Sequence, residues 1–588
     1  MKNIEGPIVL RKCSIGLAGL IGLSFFSLPQ PVHAQSLPMP PGTTAGTLLR
    51  QNQQLLTPSV AGKPGDSIDA EDNAPSKTPG APQRAEPHVH VQRFVVDESL
   101  PEPAATHVRK LFAHFEGREL SFSEVARVRT LLNVLLRSEV DVLAYATLPP
   151  QEVNDGTVRF EIHRGRIEKV SLDNTSLVST AVLEHYLPTN RTGEAPTLNE
   201  LEQAIRQMQA LPGVAQARPS LSPGEAVGTT DVQLQAKPDA RVQGALVVDN
   251  SGSASSGRNR AGAQLAINSP LGIGDRLQGV AFYAPRWGQD HASAGGNTVI
   301  GQLSYEIPLG YSGVRAGASY TRLQYRQGGP NQDVFDGNGA ADVAGIYVNK
   351  PLIDRDDASL TVGTTLDYKR LRDGFFDIDS KRRSVVGGIR VSGSKQGTFA
   401  GQPNAVQFDA ALQTGSLTQR ELGLFDDEEF PTAGRFTRFS GNFEYAQKVV
   451  AGFTASVKGS VQLASRHLDG SEQMSIGGAQ GVRGYGPELP GVDRGALVQV
   501  ALSRQIDPVP GLSVSTFYDY GRGQINKDRS LDGAANTFTV QSAGIGLSYQ
   551  YNQKVAVSLS EAWRIGASPA GQPTSKAGQT WISAMLVF

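Results

Sequence analysis

The stretch Phe453–Leu463, FTASVKGSVQL, alternates between two kinds of side chain. The first set is apolar and the second is polar: Phe453, Ala455, Val457, Val461 and Leu463, against Thr454, Ser456, Lys458, Ser460 and Gln462. A period of two places the sets on opposite faces of a β-strand. A mid-strand lysine would cost about 2–4 kcal/mol against lipid but little in a wet lumen. The stretch therefore predicts a membrane-spanning barrel strand with Lys458 inside.

The same alternation continues through the C-terminal part of the chain. About sixteen such segments begin near residues 241, 260, 275, 297, 313, 340, 358, 383, 404, 435, 452, 494, 511, 537, 553 and 578. Their connections are alternately short, as in Pro270–Gly274, and long and polar, as in Gln324–Gly339 and Gly415–Gly434. An even strand number with this asymmetry is typical of bacterial barrels. We predict an all-β transmembrane barrel of about 16 antiparallel strands over residues 239–588, rather than a soluble β-sandwich.

The final segment supports closure of that sheet. Trp581–Phe588, WISAMLVF, places Ile582 on the apolar face and Trp581 on the other. An apolar strand without a partner would be an aggregation-prone edge. Pairing it with the first barrel strand removes the edge.

Residues 89–238 have a different pattern, with two β-α-α-β-β units of about 75 residues. The first, 89–165, is expected to open with a strand over Val89–Val96. The second, 166–238, contains a helix introduced by Thr197 and Glu200 at capping-box spacing. Each unit is long enough for a small α+β domain, so two such domains are expected to precede the barrel.

The N-terminal part has the pattern of an export signal followed by a tether. Residues 1–34 combine basic residues, an apolar run and small residues near Ala34, which predicts a cleaved signal peptide. The single cysteine, Cys13, lies in that segment, so the mature chain would have no thiol. Residues 35–56 contain a predicted short helix, Ala45–Leu56, and residues 57–88 have the composition of a linker. The net charge of −1 argues against nucleic-acid binding.

One long connection, residues 475–491 (SIGGAQGVRGYGPELPG), is rich in glycine and carries a single bulky cation, Arg483. In the following strand, Phe517, Asp519 and Gly521 share the face expected to point inward. If the connection folds into the lumen, Arg483 and Asp519 can form a bidentate ion pair. Gly484 would permit the tight backbone path.

These motifs resemble a known family. Val482-Arg483-Gly484-Tyr485 and Phe517-Tyr518-Asp519-Tyr520-Gly521 are similar to the inward-folded loop and the strand motif of two-partner secretion transporters. These transporters, the TpsB or haemolysin-activator (ShlB-type) family, belong to a larger superfamily of outer-membrane insertases and transporters. The resemblance implies that Arg483, Asp519, Tyr485, Phe517, Gly484 and Gly521 form a latch between loop and barrel. It also implies that helix Ala45–Leu56 plugs the pore.

The resemblance extends to the N-terminal units, since Leu148-Pro149-Pro150-Gln151 is similar to the end of a polypeptide-transport-associated (POTRA) domain. It implies an outer-membrane protein with periplasmic POTRA domains, which secretes a large unfolded partner exoprotein of haemolysin, adhesin or toxin type. Strand addition at a POTRA sheet edge is a reasonable way to hold the passenger. The residues expected to take part are Leu148, Pro149, Gln151, Val158 and Phe160.

Other partners and functions follow from the same resemblance or remain as alternatives. Outer-membrane lipid and, during biogenesis, the barrel-assembly machinery are expected partners, and the chain is expected to be monomeric. A barrel-assembly insertase and a passive porin are the alternative functions. No catalytic residue, metal or cofactor is expected, because Ser392-Gly393-Ser394-Lys395 lacks companion motifs and His88 and His90 lack further ligands.

Overall fold

The computed structural model describes most of the chain beyond the N-terminal region. The described residues are 44–56, 88–97, 100–140, 144–151, 153, 155–163, 166–188, 197–223, 225, 229–285, 296–328, 337–375, 378–419, 431–529, 536–569 and 578–588. The predicted signal peptide and residues 57–87 of the predicted linker lie outside them. Among the described helices, none is both long and apolar enough to cross a bilayer.

The first described element, helix α1 (Ala45–Leu56), has the bounds predicted from the sequence. Its apolar residues Leu48, Leu49 and Leu56 are buried. They pack against inward-facing residues of the barrel wall, which include Phe282 and Leu323. The helix therefore lies inside the barrel.

The first α+β domain contains five strands and two helices. In chain order they are β1 (His88–Val91), β2 (Arg93–Val96), α2 (Ala104–Ala113), β3 (Arg118–Ser121), α3 (Phe122–Glu139), β4 (Tyr145–Thr147) and β5 (Thr157–His163). β1 pairs with β3, and a separate sheet has the order β2-β5-β4. Its core includes Phe94, Phe112 and Phe160, whose ring centroids lie 5.3–6.0 Å apart.

The prediction of a single strand over Val89–Val96 is wrong, because the strand is interrupted at Gln92 and continues as a second strand. The backbone N–H groups of Gln92 and Arg93 both donate to the carbonyl of Gly156, at 2.7 and 3.1 Å. The residues before the break pair with β3 and those after it pair with β5. The two polar residues Gln92 and Arg93 interrupt the alternation, because the buried Val91 and Phe94 lie three residues apart. Such an interruption alone does not show that the two halves join different sheets.

The second α+β domain has one three-stranded sheet of order β6-β8-β7. Its elements are β6 (Arg166–Asn174), α4 (Thr180–Glu184), α5 (Leu198–Gln209), β7 (Val214–Pro223) and β8 (Thr229–Pro238). The predicted capping box is present, since the Thr197 side chain accepts from the Glu200 N–H and the Glu200 carboxylate accepts from the Thr197 N–H. Hydrogen bonds from Thr197 lower the pKa of the Glu200 carboxyl.

The remaining described residues form a closed antiparallel barrel of sixteen strands, β9 to β24. The first eight are β9 (Val242–Asp249), β10 (Arg260–Asn268), β11 (Arg276–Ala284), β12 (Asn297–Pro308), β13 (Arg315–Arg326), β14 (Asn338–Asp354), β15 (Ala358–Phe375) and β16 (Ile378–Phe399). The last eight are β17 (Gln402–Gln419), β18 (Gly434–Lys448), β19 (Phe453–Ala464), β20 (Arg494–Gln505), β21 (Leu512–Gln524), β22 (Thr537–Tyr551), β23 (Val555–Ile565) and β24 (Gln579–Val587). A one-turn 3-10 helix, Val450–Gly452, precedes β19.

The barrel confirms the predicted fold class. β24 pairs with β9 and closes the sheet, as the terminal strand predicted. In β19, Val461 and Leu463 are exposed on the outer wall, whereas Gln462 is buried inside. Lys458, on the inner set, pairs with Glu444 of β18 at 3.0 Å.

Two predicted long connections are shorter than expected. β13 continues to Arg326 and β17 continues to Gln419, because both strands keep their ladder partners to those points. The predicted loops Gln324–Gly339 and Gly415–Gly434 therefore begin later than the polar composition indicated.

The second α+β domain rests on the short turns of the barrel. The Ser179 N–H donates to the Gly272 carbonyl at 2.8 Å. In the β12–β13 turn, the ring of Tyr311 stacks on His185, with centroids 4.9 Å apart. These contacts place the second α+β domain at the end of the barrel opposite the long connections.

Candidate functional site in the barrel lumen

The segment between β19 and β20, residues 465–493, folds into the barrel and is here named the lumen loop. Its buried apolar residues form a cluster with wall residues Leu497, Phe538 and Val540: Met474, Ile476, Val482, Tyr485, Leu489 and Val492. Several of them have no exposed surface at all. The inward path predicted for residues 475–491 is therefore present.

Arg483, near the middle of the lumen loop, pairs with Asp519 of β21. Its Nε donates to Asp519 Oδ2 at 2.9 Å and its Nη2 donates to Oδ1 at 2.6 Å. The Arg483 backbone N–H adds a third bond to the same carboxylate, at 3.0 Å. The guanidinium carbon lies 3.3 Å from the ring centroid of Phe517, a cation–π geometry. The structure brings the two predicted partners together, and Asp519 is fully buried.

The two glycines of the predicted latch are required by space. A Cβ on Gly484 would lie 2.7 Å from the Cβ of Ser542 on β22. A Cβ on Gly521 would lie 2.5 Å from Ile476 and 2.8 Å from Val482. Any side chain at either position would push the lumen loop away from the wall, so close approach explains both glycines.

Three further wall residues hold the same part of the loop and were not predicted as site residues. Trp581 donates its indole N–H to the Arg483 carbonyl at 2.8 Å. Arg564 donates to the Gly484 carbonyl at 2.8 Å and lies over the Tyr485 ring at 4.7 Å. Gln499 donates to the Gly481 carbonyl at 2.9 Å. Trp581 could have been found, because the sequence places it on the face opposite the lipid.

A buried cluster of charges joins the start of the lumen loop to strands β15, β16 and β18. Lys369 lies 2.5 Å from Glu472, and Arg438 lies 3.2 Å from the same carboxylate. Arg382 bonds both Asp373 and Asp469. Burial alone would raise the pKa of the two loop carboxyls, Asp469 and Glu472. The neighbouring cations lower the pKa by more than burial raises it, so the net pKa shift of both carboxyls is downward.

Helix α1 is attached to both the wall and the lumen loop. The Ala45 N–H donates to Asp373 at 2.7 Å, and the Asp373 carboxylate also accepts from the hydroxyl of Tyr325 at 2.6 Å. A carboxylate at the N-terminus of a helix stabilises its free N–H groups. On the loop side, Gln51 donates to the Pro487 carbonyl at 2.7 Å and Arg50 to the Gln473 carbonyl at 3.3 Å.

Gly46 permits a close approach of α1 to the lumen loop. A Cβ at this position would lie 2.8 Å from the Ser471 nitrogen and 2.9 Å from Asp469 Oδ1. The far side of the helix is bonded to the wall, where Arg260 donates to Asn52 at 2.8 Å and is itself paired with Asp249. The helix thus occupies a fitted space between loop and wall.

The predicted passenger-holding residues of the first α+β domain need correction. Val158 and Phe160 lie on β5, the central strand of its sheet, and their side chains are buried in the core. They cannot contact a passing chain unless the domain opens. Alternation along β5 places both side chains on one face, but it does not show that both edges of the strand are already paired.

The other three predicted residues have a different setting. Gln151 extends the ladder of β5 with its side chain, which donates to the Arg159 carbonyl and accepts from the Arg159 N–H, both at 2.8 Å. Leu148 packs against the domain core, and Pro149 is half-buried beside it. Gln151 therefore covers main-chain groups that a passenger strand would otherwise need.

The sequence matches a known family model over more than half of the chain. The family model for haemolysin secretion/activation protein ShlB/FhaC/HecB matches residues 228–549. The chain belongs to this family. A second family model, the ShlB-type POTRA domain, matches residues 89–165. This ShlB-type protein is an outer-membrane transporter of two-partner secretion, with POTRA domains in the periplasm, and it secretes a partner exoprotein. Family membership favours secretion over the insertase and porin alternatives.

Individual relatives agree in sequence and in fold. The heme/hemopexin transporter protein HuxB of Haemophilus influenzae is 26% identical over 558 residues, covering 92% of this chain and 94% of HuxB. The outer membrane transporter CdiB of Dickeya dadantii is 25% identical over 64% of this chain and 65% of its own. The structure of CdiB from Escherichia coli is similar in fold, with a TM-score of 0.62 at 20% identity, over 94% of this chain and all of that one.

Proposed function

We propose that the lumen is the route of an unfolded passenger and that helix α1 and the lumen loop together close it at rest. The observation that carries the proposal is the fit of α1, which is bonded to the wall through Asp373 and to the loop through Pro487. Because both contacts lie inside the barrel, a polypeptide cannot follow the same path while the helix is seated.

The lumen loop is proposed as the part that remains attached to the wall. Arg483 and Asp519 are nearly dry, and removing one partner of a buried ion pair typically costs about 3–5 kcal/mol. The pair acts as a latch that fixes the loop tip, and Trp581 and Arg564 hold the adjacent carbonyls. Because the loop stays fixed, one side of the route keeps its shape when α1 leaves the lumen.

The periplasmic domains are proposed to hold the passenger before entry. Strand addition is proposed at the outer strands of the three-stranded sheets, which are β2 and β4 in the first domain and β6 and β7 in the second. Main-chain hydrogen bonds do not require one sequence, which suits an extended and varied passenger. β5 is not such an edge, so the proposal replaces Val158 and Phe160 with the outer strands.

The passenger is proposed to be a large exoprotein of haemolysin, adhesin or toxin type that folds after it leaves the cell. HuxB is a heme/hemopexin transporter protein, and a passenger that takes part in haem acquisition is one candidate within that class. Folding outside makes return unfavourable, so transport needs no nucleotide. A single copy of the chain suffices, with membrane lipid around the barrel and the barrel-assembly machinery needed for its insertion.

The test of this proposal is a secretion assay with the cognate passenger. Arg483→Ala should reduce export by more than about tenfold, because it leaves the buried Asp519 carboxylate without its cation. The matched control is Arg504→Ala, since Arg504 also lies over a phenylalanine ring, that of Phe453, at 5.3 Å but is exposed. Both variants should remain folded and heat-modifiable. Undiminished export by a folded Arg483→Ala variant would refute the role of the latch.

A further inference from the structure

The outer wall of β13–β16 carries a group of cations that the transport function does not use. Arg322, Asp342, Arg370 and Arg383 are successive cross-strand partners on four neighbouring strands. Two residues further along β15, towards the C-terminal end of that strand, Arg372 pairs across to Lys381 of β16. We name the five cations of these two rows the basic patch.

The basic patch continues the lipid-facing surface of the barrel. Residues paired directly across strands share a face, and steps of two along a strand stay on it. Two residues below Arg322 and Arg370 lie Tyr320 and Tyr368, and two below Tyr368 lies Leu366, which is exposed on the outer wall. Aliphatic residues therefore give way to tyrosines and then to cations along the same face.

The position along the strand places this patch at a headgroup layer. From Leu360 to Arg370 the strand rises about 3.3 Å per residue, and a tilt of roughly 40° reduces the ten-residue rise to about 25 Å, the height of the apolar band. β15 starts at the short β14–β15 turn, at the same end of the barrel as the β12–β13 turn that contacts the second α+β domain, and runs towards the opposite end. The basic patch therefore lies at the outer-leaflet side of the membrane.

The charges of the patch are exposed and unbalanced. The side chains of Arg322, Arg372 and Lys381 are 51%, 62% and 66% exposed. Asp342 accepts from Arg322 at 3.0 Å and from Tyr320 at 2.6 Å, and Asp379 accepts from Arg372 at 2.8 Å. Among the residues that the structure describes in these rows, five cations against these two acids leave a formal excess of three positive charges.

We propose that the basic patch binds the phosphate groups of a phosphorylated glycolipid in the outer leaflet, whose acyl chains lie on the apolar band below. Guanidinium groups match phosphate oxygens in a bidentate geometry, and tyrosines at the boundary contact both acyl chain and headgroup. The occupant is a lipid because the cations and the apolar band form one continuous face. The patch anchors this side of the barrel wall in the membrane.

The test uses the full chain in detergent, titrated with diphosphoryl lipid A and followed by native mass spectrometry. The triple variant Arg370→Gln, Arg372→Gln, Lys381→Gln should bind at least about tenfold more weakly, and added NaCl should weaken wild-type binding. The matched control removes three exposed cations at the opposite rim, with Arg355→Gln, Lys395→Gln and Lys448→Gln. Its affinity should stay within about twofold of wild type.

Three results would overturn the proposal. Equal loss in the two triple variants would show a general charge effect. Equal binding of dephosphorylated lipid A would show that the acyl chains alone are recognised. Full competition by millimolar inorganic phosphate would show a site for free phosphate rather than for lipid. Heat-modifiability of both variants checks the fold, and the single variant Arg372→Gln should give a smaller loss in the same direction.

Discussion

The two parts of the chain that fill the lumen are attached to it in different ways. The lumen loop is held by a dry apolar cluster and by the buried pair of Arg483 and Asp519, and both of its ends continue into barrel strands. Helix α1 is held by hydrogen bonds from its N-terminus and its middle turns and by one apolar stripe. This difference supports the proposal that the lumen loop stays attached to the wall while helix α1 leaves.

The helix has little intrinsic reason to persist once it leaves. An isolated helix of fewer than about 12–15 residues is marginal in water, and α1 has 12 residues. Its stability therefore depends on the wall and the loop. A passenger that competes for these contacts has to replace only a modest set of bonds.

The largest effect is expected when helix α1 is deleted and the lumen loop is kept. Removing residues 45–56 empties a space as wide as a helix, about 10 Å with side chains, and should raise single-channel conductance several-fold in planar bilayers. The unfolding temperature of the barrel should change little, because the wall keeps its ladder. Unchanged conductance would show that the lumen loop closes the pore without the helix.

The second-largest effect tests how strongly the Arg483–Asp519 pair holds the lumen loop to the barrel wall. Asp519→Ala leaves Arg483 without its carboxylate and should lower the free energy of unfolding by about 3–5 kcal/mol, measured by urea titration in bilayers. The matched control is Asp409→Ala, which breaks the exposed cross-strand pair with Arg390 and should cost about 0–1 kcal/mol. Equal losses in the two variants would remove the distinction between the latch and an ordinary surface pair.

An intermediate effect is expected from a side chain at the contact between the two parts. Gly46→Val places new atoms against the Ser471 backbone, so the helix can no longer seat fully. Conductance should rise, but by less than with the deletion, because the displaced helix still occupies the lumen part of the time. A wild-type trace from this variant would show that the fit at Gly46 is not needed for closure.

The smallest effect isolates one hydrogen bond of the loop. Trp581→Phe removes the indole N–H that donates to the Arg483 carbonyl and should cost about 1 kcal/mol of stability. Trp563→Phe is the control, because Trp563 is exposed on the outer wall of the neighbouring strand. If the two substitutions cost the same, the bond to the loop contributes nothing measurable.

Sequence patterns predicted those features that are local or alternate along one strand. Helix α1, the barrel strands and the inward face of Asp519 all follow from periodicity, and the approach of Arg483 follows from one loop and one neighbouring strand. The cluster of Lys369, Arg438 and Glu472 does not, because its members lie on segments far apart in sequence and nothing local marks them as partners.

The same limit explains the wrong predictions. Alternation along β5 places Val158 and Phe160 on one face, but β5 is central because β2, which lies far earlier in the chain, pairs with the edge opposite β4. The break at Gln92 arises from the Gly156 carbonyl, which lies over sixty residues away along the chain. Periodicity therefore predicts faces, whereas edges and breaks depend on tertiary pairing.

The most direct test of the account is a reversible cross-link between the part that stays and the part that leaves. An ideal Cβ at Gly470 would lie 2.5 Å from the Thr47 hydroxyl oxygen, so Thr47→Cys with Gly470→Cys places two sulfurs within reach of each other. The oxidised double variant should stop exporting the passenger, dithiothreitol should restore export, and either single variant should export normally. Passenger export at the wild-type rate with the cross-link intact would contradict the claim that α1 must leave the lumen.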